Sequence, residues 1–209
     1  MLLRAVWACA LLGPAARASD VAIGAGAGPH SGNASFNPTG ARVDGTAGAT
    51  LLLNGGFDFL KRGNFAFGVE IPLALHGATR ASVSFRGQST SIYTEQLSMA
   101  LTPAVRARFA PQRSLSPWIS FGAGLARIHR TGQDFYFANA LAAQVGTSRG
   151  LALMPAAGVD VRLARRWFVR AEFRDYIYRT PANGFVSSFA FWNRWNFNPM
   201  AGASLGLRF

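Results

Sequence analysis

Apolar and polar positions alternate one by one along eight stretches of the chain. That period sends successive side chains to opposite faces of a strand. In 21–28 the apolar row is Val21, Ile23 and Ala25, and in 49–60 it is Leu51, Leu53, Phe57 and Phe59. The third stretch, 65–76, carries Phe65, Phe67, Val69, Ile71, Leu73 and Leu75, and the fourth, 93–109, carries Leu97, Met99, Leu101, Val105, Ala107 and Phe109. In 118–129 the row is Ile119, Phe121, Ala123 and Leu125. In 150–163 it is Leu151, Leu153, Ala157, Val159, Val161 and Leu163, and in 167–178 Trp167, Val169, Ala171, Phe173 and Ile177. The tail closes the series with Ala201, Ala203, Leu205, Leu207 and Phe209. Eight strands are therefore expected. Pro103 and Pro155 fall inside them, and each lacks a ladder donor, so a local bulge is expected at both.

The links alternate in length. Short links fall at 61–64, 110–117 and 164–166, and long ones at 29–48, 77–92, 130–149 and 179–196. With an even strand number and both ends on one side, every short turn shares that side and every long loop lies opposite. This is the asymmetry of a membrane barrel, with short periplasmic turns and long outer loops. The expected fold is all-β: an eight-stranded antiparallel up-and-down transmembrane β-barrel in a bacterial outer membrane. Trp118, Trp167 and Phe109 at the short-turn ends, and Tyr93, Tyr178, Trp192 and Trp195 at the long-loop ends, are expected to form interfacial belts.

Which face meets lipid follows from the row opposite the apolar one. That row is mostly Gly, Ala and Ser with a few charges, a poor surface for a soluble barrel but a good lining for a narrow interior. It aims Asn54, Asp58, Glu70, Arg106, Arg108, Asp160, Arg162, Arg170, Glu172 and Arg174 into one lumen. Unpaired charge there is costly, and Arg–carboxylate pairing offsets the cost. A plug of ion pairs is the favoured reading over a selective pore.

The first residues read as an export signal. Arg4 is followed by an apolar run, and Ala16-Arg17-Ala18 has small-x-small spacing before Ser19. Residues 1–18 are therefore expected to be a signal peptide and 19–209 the barrel domain. Cys9, the single cysteine, falls in the leader, so no disulfide is expected. No apolar run reaches the length of a transmembrane helix, yet 50% of residues are apolar and 14% charged. The formal net charge is +12, almost all of it from arginine. Export argues against nucleic acid as the partner. Arg42, Arg80, Arg86, Arg130, Arg149, Arg179 and Arg194 fall at the long-loop side, where they are candidate contacts for lipopolysaccharide phosphates.

The hairpin Gly158-Val159-Asp160-Val161-Arg162 followed by Arg170-Ala171-Glu172-Phe173-Arg174, with the Gly-rich segment Ser120-Phe121-Gly122-Ala123-Gly124, resembles the small eight-stranded outer-membrane barrels, near the transmembrane domain of outer membrane protein A. The terminal row Leu205, Leu207 and Phe209 resembles the signal such barrels present to the insertion machinery. The resemblance implies lipid and lipopolysaccharide as surroundings, and insertion machinery and periplasmic chaperones as partners during biogenesis. No cofactor is expected and no enzyme. His129, Asp134 and Ser148 could be drawn as a triad, but the His-x-Ser expected of a lipid A deacylase is missing near the chain end, and no His/Cys/Asp cluster has ligand spacing. The role expected is structural or surface-interacting. A small diffusion channel is the alternative, and a lipid A-modifying enzyme ranks below it.

Overall fold

The computed structural model describes residues 19–29, 41–45, 47–77, 81–85, 88–90, 94–132, 146–179 and 195–209. Its strands in chain order are β1 (Ser19–Pro29), β2 (Ala41–Gly45), β3 (Ala47–Arg62), β4 (Phe65–His76), β5 (Ala81–Phe85), β6 (Gln88–Thr90) and β7 (Thr94–Leu101). They continue with β8 (Ala104–Phe109), β9 (Leu115–Gly132), β10 (Gly146–Arg162), β11 (Trp167–Asp175), β12 (Ile177–Arg179), β13 (Trp195–Asn196) and β14 (Pro199–Arg208).

Eight staves make the barrel: β1, β3, β4, β7 with β8, β9, β10, β11 with β12, and β13 with β14. Each pairs antiparallel with its neighbours, and β14 returns to β1 over Asp20↔Arg208 to Ala27↔Ala201. The eight expected strands are thus the eight staves of a closed, all-strand barrel. At the seam the Phe209 amide donates to the Ser19 carbonyl at 2.9 Å.

The faces are inverted relative to a water-soluble protein. Ile119, Leu125 and Val105 are 64%, 69% and 60% exposed, while Arg106, Arg170 and Glu70 are fully buried. Exposed apolar side chains around a buried charged interior are what lipid on one side and a closed lumen on the other demand.

Neither proline makes the expected bulge. Pro103 separates β7 from β8, yet β4 and β9 pair with both pieces in unchanged register, Leu101↔Leu125 below continuing as Ala104↔Gly122. Pro155 stays within β10, opposite Phe121. On its other side the ladder to β11 and β12 is interrupted around Asp175 and Tyr176 and resumes without a shift. A missing N–H removes a bond without adding a residue, so the side-chain alternation survives. The register shift that does occur lies between Asp58 and Leu60 of β3, where Phe59 is the extra residue. Phe59 and Leu60 both face outward there, at 51% and 49% exposure.

Two further expectations are corrected. The short link after β8 ends earlier than 110–117, because β9 already begins at Leu115. Two of the long links hold strands of their own: β2, β5 and β6 form a separate three-stranded antiparallel sheet.

Candidate functional site

All eight staves send a polar side chain into the short-turn half of the lumen. Asp20 on β1 receives three bonds from β8: Arg106 Nη2 at 2.8 Å, Arg106 Nη1 at 3.2 Å and Arg108 Nη2 at 2.6 Å. Asp58 on β3 bridges the same two guanidinium groups at 3.3 and 3.4 Å. Asp160 on β10 takes Arg170 Nε at 2.7 Å and Nη2 at 3.1 Å, a two-pronged pair between directly opposed residues. The Trp118 indole N–H and Arg208 Nη2 also donate to Asp160, each at 3.1 Å.

Glu70 on β4 stands at the centre. It accepts from Asn54 at 3.1 Å, Ser120 at 2.7 Å and Arg174 at 3.1 Å. Arg106 and Arg170 approach it at 3.6 and 3.8 Å. Glu172 on β11 is held by Arg174 at 2.7 Å and by the Ser204 hydroxyl at 2.8 Å. Five carboxylates thereby meet five arginines, counting Arg208, with every carboxylate at most 6% exposed. Charges removed from water are tolerable only when balanced and hydrogen-bonded in this way.

Aromatic rings fill the space between the charges. Trp118 lies 4.9 Å from the Arg170 guanidinium and 5.4 Å from that of Arg174. Phe168 packs against Arg170 and Arg208 at 5.3 and 5.2 Å. Both rings lie over glycines: a Cβ at Gly158 would stand 2.5 Å from the Trp118 ring, and one at Gly206 would overlap the Phe168 ring. Only a residue without Cβ lets the ring lie that close to the wall.

Beyond the charges, toward the long loops, the lumen holds an apolar cluster with uncharged polar side chains such as Thr50, Thr102 and Asn198 among it. Leu52, Ala74, Ala100, Ile128, Met154 and Met200 form one buried cluster with Tyr176 and Tyr178. His76 sits within this half, paired to Thr50 at 2.9 Å and edge-on to Tyr176 at 5.2 Å.

At the opposite end the turn after β8 bends over the mouth. Ala110 has a positive φ of 47° and is buried. The next carbonyl, Pro111, accepts from Arg162 at 3.0 Å and from Arg208 at 3.4 Å. Arg208 therefore ties the turn to the ion-pair network through Asp160.

Eight of the nine charged lumen residues picked from the sequence come together: Asp58, Glu70, Arg106, Arg108, Asp160, Arg170, Glu172 and Arg174. Arg162 does not join them; its strand has reached the rim, and its exposed side chain clasps Pro111 instead. Sequence reasoning missed Asp20, although it stands at the parity opposite Val21 and Ile23. It also missed the clasp by Arg208. Trp118 and Tyr178, expected in the interfacial belts, point inward and are 3% and 5% exposed. Trp167 and Phe109 do face outward, each 45% exposed. Trp195 lies in β13, whereas Tyr93 and Trp192 lie outside the described residues.

Of the arginines assigned to lipid phosphates, Arg149 is exposed on β10, directly opposite the exposed Arg127 of β9. Arg42, Arg130 and Arg179 lie in β2, β9 and β12, and Arg80, Arg86 and Arg194 fall outside the described residues. In the terminal row, Leu205 and Phe209 are 44% and 69% exposed, and Leu205 and Leu207 pair with Ile23 and Val21 of β1. His129 pairs with Thr147 at 3.1 Å on the outer wall, while Asp134 lies outside the described residues.

The family described as "Outer membrane protein beta-barrel domain" matches residues 5–209. Among solved structures, the chain is similar to the outer membrane protein OprG from Pseudomonas aeruginosa, with 15% identity, 92% of this chain and 95% of that one covered, and a TM-score of 0.57. It is similar to Ail, the attachment invasion locus protein of Yersinia pestis, at 11% identity over 92% and 98% of the two chains, with a TM-score of 0.52. Neisserial surface protein A matches at 13% identity over 91% and 95%, with a TM-score of 0.50. No curated protein matches the chain. At these identities the likeness is one of fold.

Proposed function

The chain belongs to the outer-membrane protein β-barrel family, and we propose that it is a barrel with a plugged lumen and a structural or surface-interacting role, not a channel and not an enzyme. The observation that carries this reading is the balance of the lumen. Each buried carboxylate has an arginine within 3.3 Å, and the pairs Arg106–Asp20 and Arg174–Glu70 cross the lumen. A selective pore would line an open path with charge of one sign. Here opposite charges pair within the lumen, Trp118 and Phe168 fill the gaps, and the Pro111 turn crosses one mouth.

Activity against substrate requires an activated nucleophile in reach of a base. The interior carboxylates are instead saturated by arginine, and His129 faces out beside a threonine.

Residues 1–18 act as a signal peptide, so N-terminal sequencing of the mature protein should begin at Ser19. Leu205, Leu207 and Phe209 serve as the insertion signal for the assembly machinery, after escort by periplasmic chaperones. The outer arginines, with Arg127 added beside Arg149, contact lipopolysaccharide phosphates. Two guanidinium groups directly opposed on one face repel unless an anion lies between them.

The test is solute entry. Liposomes containing the folded barrel should swell no faster in a small sugar than empty ones. Swelling at a porin-like rate would replace the plug with a diffusion channel.

A further inference from the structure

Among the described residues, the basic side chains outside the lumen at the short-turn end have no acidic side chain beside them. Lys61, Arg62, Arg113, Arg165 and Arg166 are all exposed. Of the nine Asp and Glu side chains in the sequence, five are the buried lumen set, Asp44, Glu95 and Asp175 lie on strands at the long-loop side, and Asp134 falls outside the described residues. Outside the lumen, the described side chains of the short-turn rim therefore carry charge of one sign.

The turns that carry those charges are held in place. Backbone bonds run from the Ala110 amide to the Asn64 carbonyl at 2.7 Å, from Arg162 to Ser114 at 2.7 Å and from Arg208 to Arg166 at 2.8 Å. Each turn is thus fastened to the next strand or turn around the rim. The backbone of such a ring cannot open to spread its like charges, and an anionic environment relieves their repulsion.

Depth says which anion. Arg62 is the cross-strand partner of Phe65, and Phe65 meets Phe109 edge-on at 5.3 Å. Arg165 and Arg166 lie between Leu163 and Trp167, which are 61% and 45% exposed. Aromatic rings followed at once by arginine mark the boundary between acyl chains and headgroups, where a long basic side chain reaches the phosphate while its stem stays in the apolar zone. A soluble acidic partner would have no use for the apolar half of this surface. A lipid matches both halves.

We infer that the rim is a collar for anionic phospholipid of the periplasmic leaflet. The guanidinium groups of Arg62, Arg113, Arg165 and Arg166, with Lys61, hold headgroup phosphates, and Phe65, Phe109 and Trp167 contact the acyl chains. The inference rests on the barrel orientation given above, which puts the short turns in the periplasm.

The test uses the mature barrel in nanodiscs of phosphatidylcholine with a minority of phosphatidylglycerol, and reads the lipids retained by native mass spectrometry. The wild type should retain phosphatidylglycerol several-fold above its share of the bilayer. The variant Lys61→Gln/Arg62→Gln/Arg113→Gln/Arg165→Gln/Arg166→Gln should fall close to the bulk ratio. No enrichment in the wild type, or enrichment unchanged in the rim variant, overturns the collar. A heat-dependent gel shift reports separately on barrel formation, so a wild type that never shifts sinks the barrel reading instead. If the five-site variant fails to shift, Lys61→Gln/Arg62→Gln and Arg165→Gln/Arg166→Gln should each lower the enrichment, and no decrease in either overturns the collar.

Discussion

Arg106 reaches from β8 across the lumen to Asp20 on β1 and grips its carboxylate with both terminal nitrogens, at 2.8 and 3.2 Å. The two residues lie three staves apart around the wall. Their pair therefore does more than neutralise charge: it spans the barrel and ties together strands that share no backbone bond. Arg108 converges on the same carboxylate at 2.6 Å.

Removing Asp20 should accordingly destabilise the barrel strongly. Asp20→Asn leaves Arg106 and Arg108 with Asp58 as their shared close partner, at 3.3 and 3.4 Å. Breaking a buried pair from one side costs about 3–5 kcal/mol. The urea midpoint for loss of the heat-modifiable form should drop by a corresponding amount. An unchanged midpoint would mean that Asp20 is not part of the interior network.

Arg208 offers a graded comparison. It is partly exposed and contributes one bond to Asp160, which keeps Arg170 and Trp118. Arg208→Ala should cost about 1.5–3 kcal/mol at most, the range for hydrogen bonds to charged groups, and less than Asp20→Asn in the same urea series. A larger loss than at Asp20 would place the weight of the plug at the rim.

Gly158 tests the aromatic filling. A Cβ there would meet the Trp118 ring at 2.5 Å, so Gly158→Val must displace the indole. Overpacking of this kind costs about 1–3 kcal/mol. The near-UV circular dichroism of the tryptophans should change along with the urea midpoint. A spectrum identical to wild type would show that the ring does not rest on that glycine.

Phe209 addresses assembly and not stability. It is 69% exposed and held at the seam by its backbone. Phe209→Ala should slow the appearance of the heat-modifiable form in cells while leaving its urea midpoint nearly unchanged. Assembly at the wild-type rate would remove the insertion-signal reading.

The staves and their faces were legible because one period of two ran through each stretch. In β9 the outward row is Ile119, Phe121 and Leu125, which puts Trp118 inside; in β11 and β12 the row Trp167, Phe173 and Ile177 puts Tyr178 inside. Position at a strand end therefore does not put an aromatic in the interfacial belt; parity decides, and it places both rings in the lumen. Asp20 was lost for a simpler reason: the first stretch was begun one residue too late. Pro103 and Pro155 misled because a proline changes hydrogen bonding locally while a bulge changes residue count, and these two change only the former. The Pro111 clasp was not legible at all. It depends on Ala110 taking a positive φ and on Arg208 lying across the lumen, neither of which leaves a pattern in the sequence.

Conductance across a planar bilayer tests the plug most directly, comparing the wild type with Glu172→Ala. Glu172 holds Arg174 at 2.7 Å and Ser204 at 2.8 Å, and its loss leaves Arg174 with Glu70 at 3.1 Å. The plug predicts a wild type that passes little or no current and a variant that passes measurably more. A wild type with stable, open channels, or a variant indistinguishable from it, would contradict the account.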